Sequence, residues 1–597
     1  MSTETSRGEQ ALRALRPVRV FHPMLLALTP LWGNYAYGEN AGLLPISALA
    51  RPAAVLLAMA VGLWIFFTVL RKDRHHGGLL ASAVIVPLLV VWGALEEAIR
   101  SVIPLLSNMQ RGTFYLLIVA VAIMLIGAIA YGKRGDRQAL RHVLILGLVI
   151  FGISMVVATF LLAPVFGRRA AWLITGYCVA TLLGVRAVWN YHGDYKVATR
   201  SLNWFATILL VLYACVLLVN GPRQPEVTAA TLPIAQQSPV PKEELPDIYL
   251  IALDGYARSD MLRSAYAYNN MSFEQEMKGL GFRVAGRSIA NYPQAVLSLT
   301  AMLNAKYLDE LLKEPGDGDM PSMTSVFAHY HENSVFDTLR SVGYRIESFS
   351  PGLESLEPRR DDVVRLEPPR ALGEFEMVLM DRTFASRMMQ AVYYVRYKNP
   401  AYWRYAFRRD RIIYAFEEMG RLAKEQSDTP RLIFANLLIP EPPYLFTRDG
   451  GRAQPYGPGS LGGDRTFRGL ESEYREAFLG QVYFTNQKLI ETAKRIIEGS
   501  KRPALIIVVS GRGAPPALER QPGSADERFM NLLMVRFPEG ADADVPQWRD
   551  SLSLVNVFRV VLNQIANAQL ELLEDKTVLP PESKPSNTQP TTSLPAK

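Results

Sequence analysis

"PALIIVVSGRGAPP", residues 503–516, holds an unbroken apolar run from Leu505 to Val509 between turn-forming ends. The run predicts a buried strand that stops at a glycine turn. In open α/β sheets the carboxyl ends of such strands are where ligands and chemistry gather. Here the strand is followed by Ser510, Gly511, Arg512 and Gly513. None of these offers a carboxylate, imidazole or thiol that could hold a metal or take a proton.

The neighbouring sequence supplies the rest of a sheet. "DIYLIALDG" (247–255) reads as a strand ending in Asp254-Gly255, and "RLIFANLLIP" (431–440) as another, followed by "EPPYLF". "MSFEQEMKGLGF" (271–282) predicts a helix closed by Gly281, and "ENSVFDTLRSVGYRIESF" (332–349) a helix, a glycine stop and a strand. Residues 475–500 carry apolar residues near i, i+3/i+4 spacing and predict a long helix leading into the opening strand. "SLSLVNVFRVVLNQI" (551–565) predicts a Ser-capped helix. Short strands alternating with amphipathic helices define an α/β/α sandwich with a mostly parallel sheet over 246–580. The stretch 222–245, rich in Pro, Gln, Thr and Ala, has linker composition, and 581–597 has the composition of a disordered tail.

The first 221 residues differ in kind. The chain has 597 residues, 49% of them hydrophobic. Before residue 221 there are apolar runs near 21–37, 52–70, 78–97, 113–131, 143–164, 170–187 and 202–220, each about long enough to span a bilayer. They predict a transmembrane bundle of about seven helices over 21–221, after a cytoplasmic tail, 1–20. If the N-terminus is cytoplasmic, fourteen Arg and Lys residues fall in cytoplasmic segments, including Arg71, Lys72 and Arg74. Only Arg51, Arg100, Arg111, Arg168 and Arg169 fall on the other side. Basic loops stay inside, so an odd number of spans places 246–580 outside the cytoplasm.

The net charge of +8 is then a topology signal and not a nucleic-acid footprint. "RALRPVRVFHP" serves as a topology determinant with lipid headgroup contact. Glu96 and Glu97, with Arg100 and Arg111 nearby, read as a solvated span end and not as a transport path. The cysteines, Cys178 and Cys215, both lie in predicted spans, so the α/β domain has no disulfide to rely on.

"PDIYLIALDGYARSDML" (246–262), "NYPQAVLSLTAMLNAKYL" (291–308), "IPEPPYLFTRDG" (439–450), "LIIVVSGRG" (505–513) and "SLVNVFRVVLN" (553–563), in this order, resemble the membrane-anchored sulfatase-like proteins of the alkaline phosphatase superfamily. The resemblance implies a fold that hydrolyses or transfers phosphate or sulfate esters. It also implies a divalent metal on Asp and His at strand ends and a Thr, Ser or formylglycine nucleophile. A metal suits that chemistry because it neutralises the anionic group and lowers the pKa of the attacking hydroxyl.

Matched position by position, the resemblance implies a degenerate active site. Asp254 corresponds to the metal aspartate of the first strand. Ala295 stands where the nucleophile would be, and Gly511 and Arg512 replace the Asp and His of Ser-Asp-His-Gly. Glu441 replaces the His of Pro-His-Pro-Pro, and Asn436 stands where a further His is usual. The exported domain has two histidines, His329 and His331, which read as exposed polar residues before a helix. Ser298 and Thr300 are displaced from the nucleophile position by three and five residues. The turn "SGRG" reads either as a plain tight turn or as an anion-binding nest.

No metal or other cofactor is expected, and Asp254, Arg512 and Glu441 are the candidate binding residues. Arg512 would set a permanent guanidinium between Asp254 and Glu441 in place of a bound cation. The resulting expectation is a bacterial inner-membrane protein with a cytoplasmic N-terminus and a periplasmic C-terminal domain. Its expected role is as a catalytically inactive binding or accessory component in cell-envelope polysaccharide or lipid processing. Expected partners are membrane lipids, an anionic glycan or lipid ligand, and an envelope-assembly protein. One alternative is an active phosphate- or sulfate-ester hydrolase or transferase with a rearranged site of Asp254, Glu441 and Ser298 or Thr300, using a divalent metal. The other is a membrane scaffold for a protein partner.

Overall fold

A computed structural model of the chain describes residues 18–37, 46–95 and 168–220. Within 231–578 it describes all but 234–240, 242–243, 313–321, 359, 361, 400–401, 454–470, 515–526 and 541–542. The chain divides into two units, Met1–Pro222 with Phe375–Trp403, and Arg223–Glu374 with Arg404–Lys597.

The first unit is helical. Three helices among the described residues are long and apolar enough to cross a membrane, Ile46–Arg71, Arg74–Leu95 and Tyr195–Val219. The runs near 21–37 and 170–187 also form helices, His22–Tyr37 and Arg168–Trp189. The runs 113–131 and 143–164, with Glu96, Glu97, Arg100 and Arg111, lie outside the described residues.

Polar contacts gather three chain segments at one end of these helices. Asp73 caps the Arg74 helix through the amides of His75 and His76, at 2.7 and 2.8 Å. His76 Nε2 lies 2.9 Å from the Val188 carbonyl oxygen, and the Asn203 carboxamide holds the His22 amide and the Arg19 carbonyl. Arg19, Arg71, Lys72, Arg74, Arg186, Lys196 and Arg200 are therefore all near this end. Phe375 and Leu379 join the apolar cluster of Leu49, Leu56, Ile85 and Leu89. The sequence reading had assigned that later segment to the α/β domain.

The second unit is a seven-stranded sheet with helices on both faces. Its strands are β1 (Asp247–Asp254), β2 (Arg283–Val284), β3 (Arg345–Phe349), β4 (Val363–Leu366), β5 (Arg431–Pro440), β6 (Ala504–Ser510) and β7 (Leu533–Arg536), in the order β2-β7-β6-β1-β5-β3-β4. The contiguous set β6-β1-β5-β3-β4 is parallel, and β7 and β2 pair antiparallel at one edge.

Alternation along each central strand makes the three layers. In β1, Ile248, Leu250 and Ala252 enter one core with the helices Ala295–Asn304, Ser334–Ser341 and Val557–Ala566. Tyr249, Ile251 and Leu253 enter the other, with the helices Trp403–Leu422 and Glu471–Gly499. Strands β5 and β6 divide the same way, so the middle of the sheet is apolar on both faces.

Two local expectations need correction. His329 and His331 do precede the helix Ser334–Ser341 but also close the helix Met323–His331, and His331 is buried against the Tyr330 ring instead of exposed. The 551–565 segment starts its α-helix at Val557 after a 3₁₀ turn, and the Ser553 hydroxyl bonds Asp575 instead of capping.

At the amino ends of β1 and β5, Asp247 accepts from the Arg431 amide at 2.8 Å and from its guanidinium at 2.9 Å. Both side chains are almost fully buried. Arg431→Met strands Asp247 and should lower the midpoint for thermal unfolding of the α/β unit by several degrees, since breaking such a pair costs about 3–5 kcal/mol. Adding Asp247→Asn should recover part of that loss, read by differential scanning fluorimetry of the full chain.

Candidate functional site

The central strands β6, β1 and β5 are neighbours, so their carboxyl ends deliver three turns to one place. The register of β1 on β5 breaks between Leu253 and Asp254, and Gly255 adopts φ +79°, which turns the chain just after the carboxylate. After β5 the Glu441 amide donates to the Asp254 carbonyl at 3.0 Å, which sets Glu441 beside Asp254. After β6 the turn is tied down by Ser510. Its hydroxyl accepts from the Tyr256 amide at 2.9 Å and donates to the Arg512 carbonyl at 2.6 Å.

Arg512 then extends between the two acids. Its Nε donates to Asp254 Oδ1 at 2.8 Å and its Nη2 to Glu441 Oε1 at 2.8 Å. The three side chains are only 13–23% exposed. Such charge-assisted bonds are among the strong ones, and the planar fork of arginine suits them.

The two acids respond unequally. Burial and the Glu441 charge raise the Asp254 carboxyl well above its ordinary range, against the pull of Arg512. Burial also pushes Glu441 up, but Arg512, the hydrogen bond with Asp254 and the charge of Arg408 outweigh it and hold Glu441 down to about 2. The two carboxyls are therefore pushed in opposite directions, Asp254 toward holding a proton and Glu441 toward the ionised form.

Arg408 was missed by the sequence reading. It lies on the helix Trp403–Leu422, is 3% exposed, and donates to the carbonyls of Leu438 and Pro442 beside Glu441. A signal was present: Arg408 and Arg411 occupy the face that also carries Ile412, Ala415, Phe416 and Met419 into the core. Arg411 binds the Ser350 hydroxyl at 2.8 Å and the Leu372 carbonyl at 2.9 Å. It also passes so close to Gly352, at φ +85°, that a Cβ there would lie 2.6 Å from its Nε.

Ala295, Gly511 and Asn436 are also placed. Ala295 opens the helix Ala295–Asn304, and a Cβ built on Gly511 would lie 2.8 Å from the Ala295 Cβ and 3.0 Å from its Cα. The two positions that lack a nucleophile and a metal ligand thus pack on each other with no room between. Asn436 is buried on β5 and donates to the Tyr330 hydroxyl at 2.9 Å.

Ser298 and Thr300 are not brought to the carboxylates as free hydroxyls. Ser298 Oγ accepts from the Tyr292 amide and donates to its carbonyl, both at 3.0 Å, and Thr300 donates to the Val296 carbonyl at 2.7 Å. The anion-nest reading of "SGRG" also loses its donors, because the Gly511 and Gly513 amides bond the Leu253 and Arg528 carbonyls.

A resident divalent metal does not fit these residues. Among the described residues no group of three or more His, Cys, Asp or Glu side chains is arranged to hold one. The two carboxylates that converge already share a permanent cation.

No protein-family model matches the chain, and no curated protein matches it. Among solved structures it is similar to the C-terminal periplasmic domain of EcEptC from Escherichia coli, at 14% identity and TM-score 0.33, over 56% of this chain and 86% of that one. It is also similar to the integral membrane lipooligosaccharide phosphoethanolamine transferase A from Neisseria meningitidis, at 11% identity and TM-score 0.35, over 91% and 95%. A protein in the alkaline phosphatase superfamily from Vibrio parahaemolyticus overlaps at 11% identity and TM-score 0.31, over 57% and 69%. At these identities and TM-scores they are likenesses only, and what the site can do follows from its own residues.

The unequal acids give opposite pH signatures. Asp254, raised above 3.8, binds its proton more tightly in the folded state, so its contribution falls as pH rises through the raised value. Glu441, lowered from 4.5 to about 2, contributes above pH 4.5 and loses that contribution as pH falls toward 2. Thermal midpoints against pH should therefore be flatter on the alkaline side in Asp254→Asn and on the acid side in Glu441→Gln. At pH 7, Glu441→Gln should be the more destabilising. Gly511→Asp should lower the midpoint by several degrees, because overpacking of this kind costs about 1–3 kcal/mol.

Proposed function

We propose that this chain is a bacterial inner-membrane protein with a cytoplasmic N-terminus and an extracytoplasmic sulfatase-like α/β/α domain that has lost ester chemistry. Its role is that of a binding or accessory component in cell-envelope polysaccharide or lipid processing. The orientation is supported by the basic residues gathered at one end of the membrane helices.

The observation that carries the loss of catalysis is the bridge from Arg512 to Asp254 and Glu441 at 2.8 Å each. A guanidinium offsets the two carboxylates as a metal would, but it has donors only and stays protonated. It offers no open position for a substrate oxygen and cannot ligate an attacking hydroxyl to activate it as a metal does. Ala295 supplies no hydroxyl to activate, and the nearby Ser298 and Thr300 are bonded to backbone oxygens. The remaining role is recognition. An anionic glycan or lipid is the ligand class that suits a site carrying Arg512 and the buried Arg408.

The test uses the full chain in lipid nanodiscs. Metal analysis after incubation with zinc, magnesium, manganese or calcium should find far less than one equivalent, and the melting temperature should ignore both these ions and chelator. Arg512→Ala should melt several degrees lower, because it leaves two acids without their cation. Millimolar divalent cation should then restore part of the loss. Stoichiometric metal in the parent protein, lost on Asp254→Ala, would overturn the proposal and call for screening of phosphate and sulfate esters.

A further inference from the structure

Residues Phe375–Trp403 leave the sequence of the α/β unit and pack with the helical unit. They meet the ends of two candidate spans that lie away from Arg71 and Arg74. Glu376 pairs with Arg51 at 3.5 Å, and the Phe384 amide donates to the Leu88 carbonyl at 2.8 Å. Trp92 stands edge-on to Phe384 with ring centroids 5.0 Å apart, and the Arg387 guanidinium lies over the Trp92 ring at 5.7 Å. At Gly93 the backbones come so close that a Cβ would lie 2.3 Å from the Arg382 carbonyl oxygen.

The helix that follows, Ala385–Tyr397, has a face that none of these contacts uses. Met388, Val392 and Val395 are 62%, 57% and 73% exposed. Their i, i+4, i+7 spacing places them in one stripe. From Arg382 to Trp403 the chain has no acid but carries Arg382, Arg387, Arg396 and Lys398. The helix also carries Tyr393, Tyr394 and Tyr397, part-exposed and of a residue type that populates membrane interfaces.

We infer that the helix Ala385–Tyr397 lies in the plane of the membrane. Its Met388, Val392 and Val395 stripe sits in the headgroup and upper acyl layer, and its basic residues face anionic phospholipid headgroups. An apolar stripe, a basic flank and aromatic neighbours together mark an interfacial helix. The occupant is lipid and not a protein because the stripe continues from a segment seated on the ends of candidate spans, where the leaflet surface must lie. The chain leaves the α/β unit after Glu374 and re-enters it at Arg404. This helix thus gives that unit a second covalent attachment to the membrane, besides the 222–245 connection.

The test is depth measurement by electron paramagnetic resonance on the full chain in nanodiscs of phosphatidylethanolamine and phosphatidylglycerol. In a Cys178→Ser, Cys215→Ser background, spin labels are placed singly through Met388→Cys, Val392→Cys and Val395→Cys. Gln275→Cys, on an exposed position of the helix Met271–Gly279, is the aqueous control. The three stripe labels should be relaxed by oxygen and shielded from the water-soluble nickel chelate, at depths of about 5–10 Å below the phosphates. The control label should show the reverse. Stripe labels as open to nickel as the control would overturn the inference, because the stripe would lie in water. Shielding from both reagents would also overturn it, because protein would then cover the face.

Discussion

The α/β unit depends on how two acids are kept at the carboxyl ends of adjacent strands. β1 and β5 are both buried over their length, so Asp254 and Glu441 emerge from an apolar sheet into a space with little water. Two carboxylates so placed repel each other and pay for desolvation unless a cation or a proton intervenes. Here a cation intervenes: Arg512, from the next strand on the other side of β1, reaches each acid, while burial and the Glu441 charge raise the Asp254 carboxyl well above its ordinary range. The turn after β6 is shaped to deliver that guanidinium: Ser510 ties it to Tyr256, and Gly511 has no side chain because Ala295 fills the space.

The amino edge of the same sheet solves a similar problem with less freedom. Asp247 and Arg431 pair directly across β1 and β5, with backbone and side-chain bonds from one residue to the other. That pair fixes register between two strands. The carboxyl-edge cluster instead joins three strands through one fork and has a second guanidinium, Arg408, acting on Glu441. A charge network of this kind ties the turns after three strands to one another.

The central strands were legible because β1, β5 and β6 are long apolar runs with turn residues at their ends. The short strands β2, β4 and β7 were not, since two to four residues carry too little pattern for a period to show. Asp254, Glu441 and Arg512 could be singled out because each stands at or just after the end of a recognisable strand, where the resemblance placed its motifs. Arg408 could not be joined to them, since its contact depends on the angle at which a distant helix crosses the sheet. The Phe375–Trp403 segment was read as part of the α/β domain because its apolar residues have the spacing of any amphipathic helix, and sequence does not say whether such a stripe faces a core or a bilayer.

A metal at the Arg512 position would do three things: offset the acids, polarise an ester oxygen and generate a nucleophile. Only the first depends on charge alone. The other two require a vacant coordination position and a bound oxygen whose proton can leave, and a guanidinium with only donors provides neither. An arginine in this place can therefore supply the charge that two buried acids need, but not the other two functions of a metal.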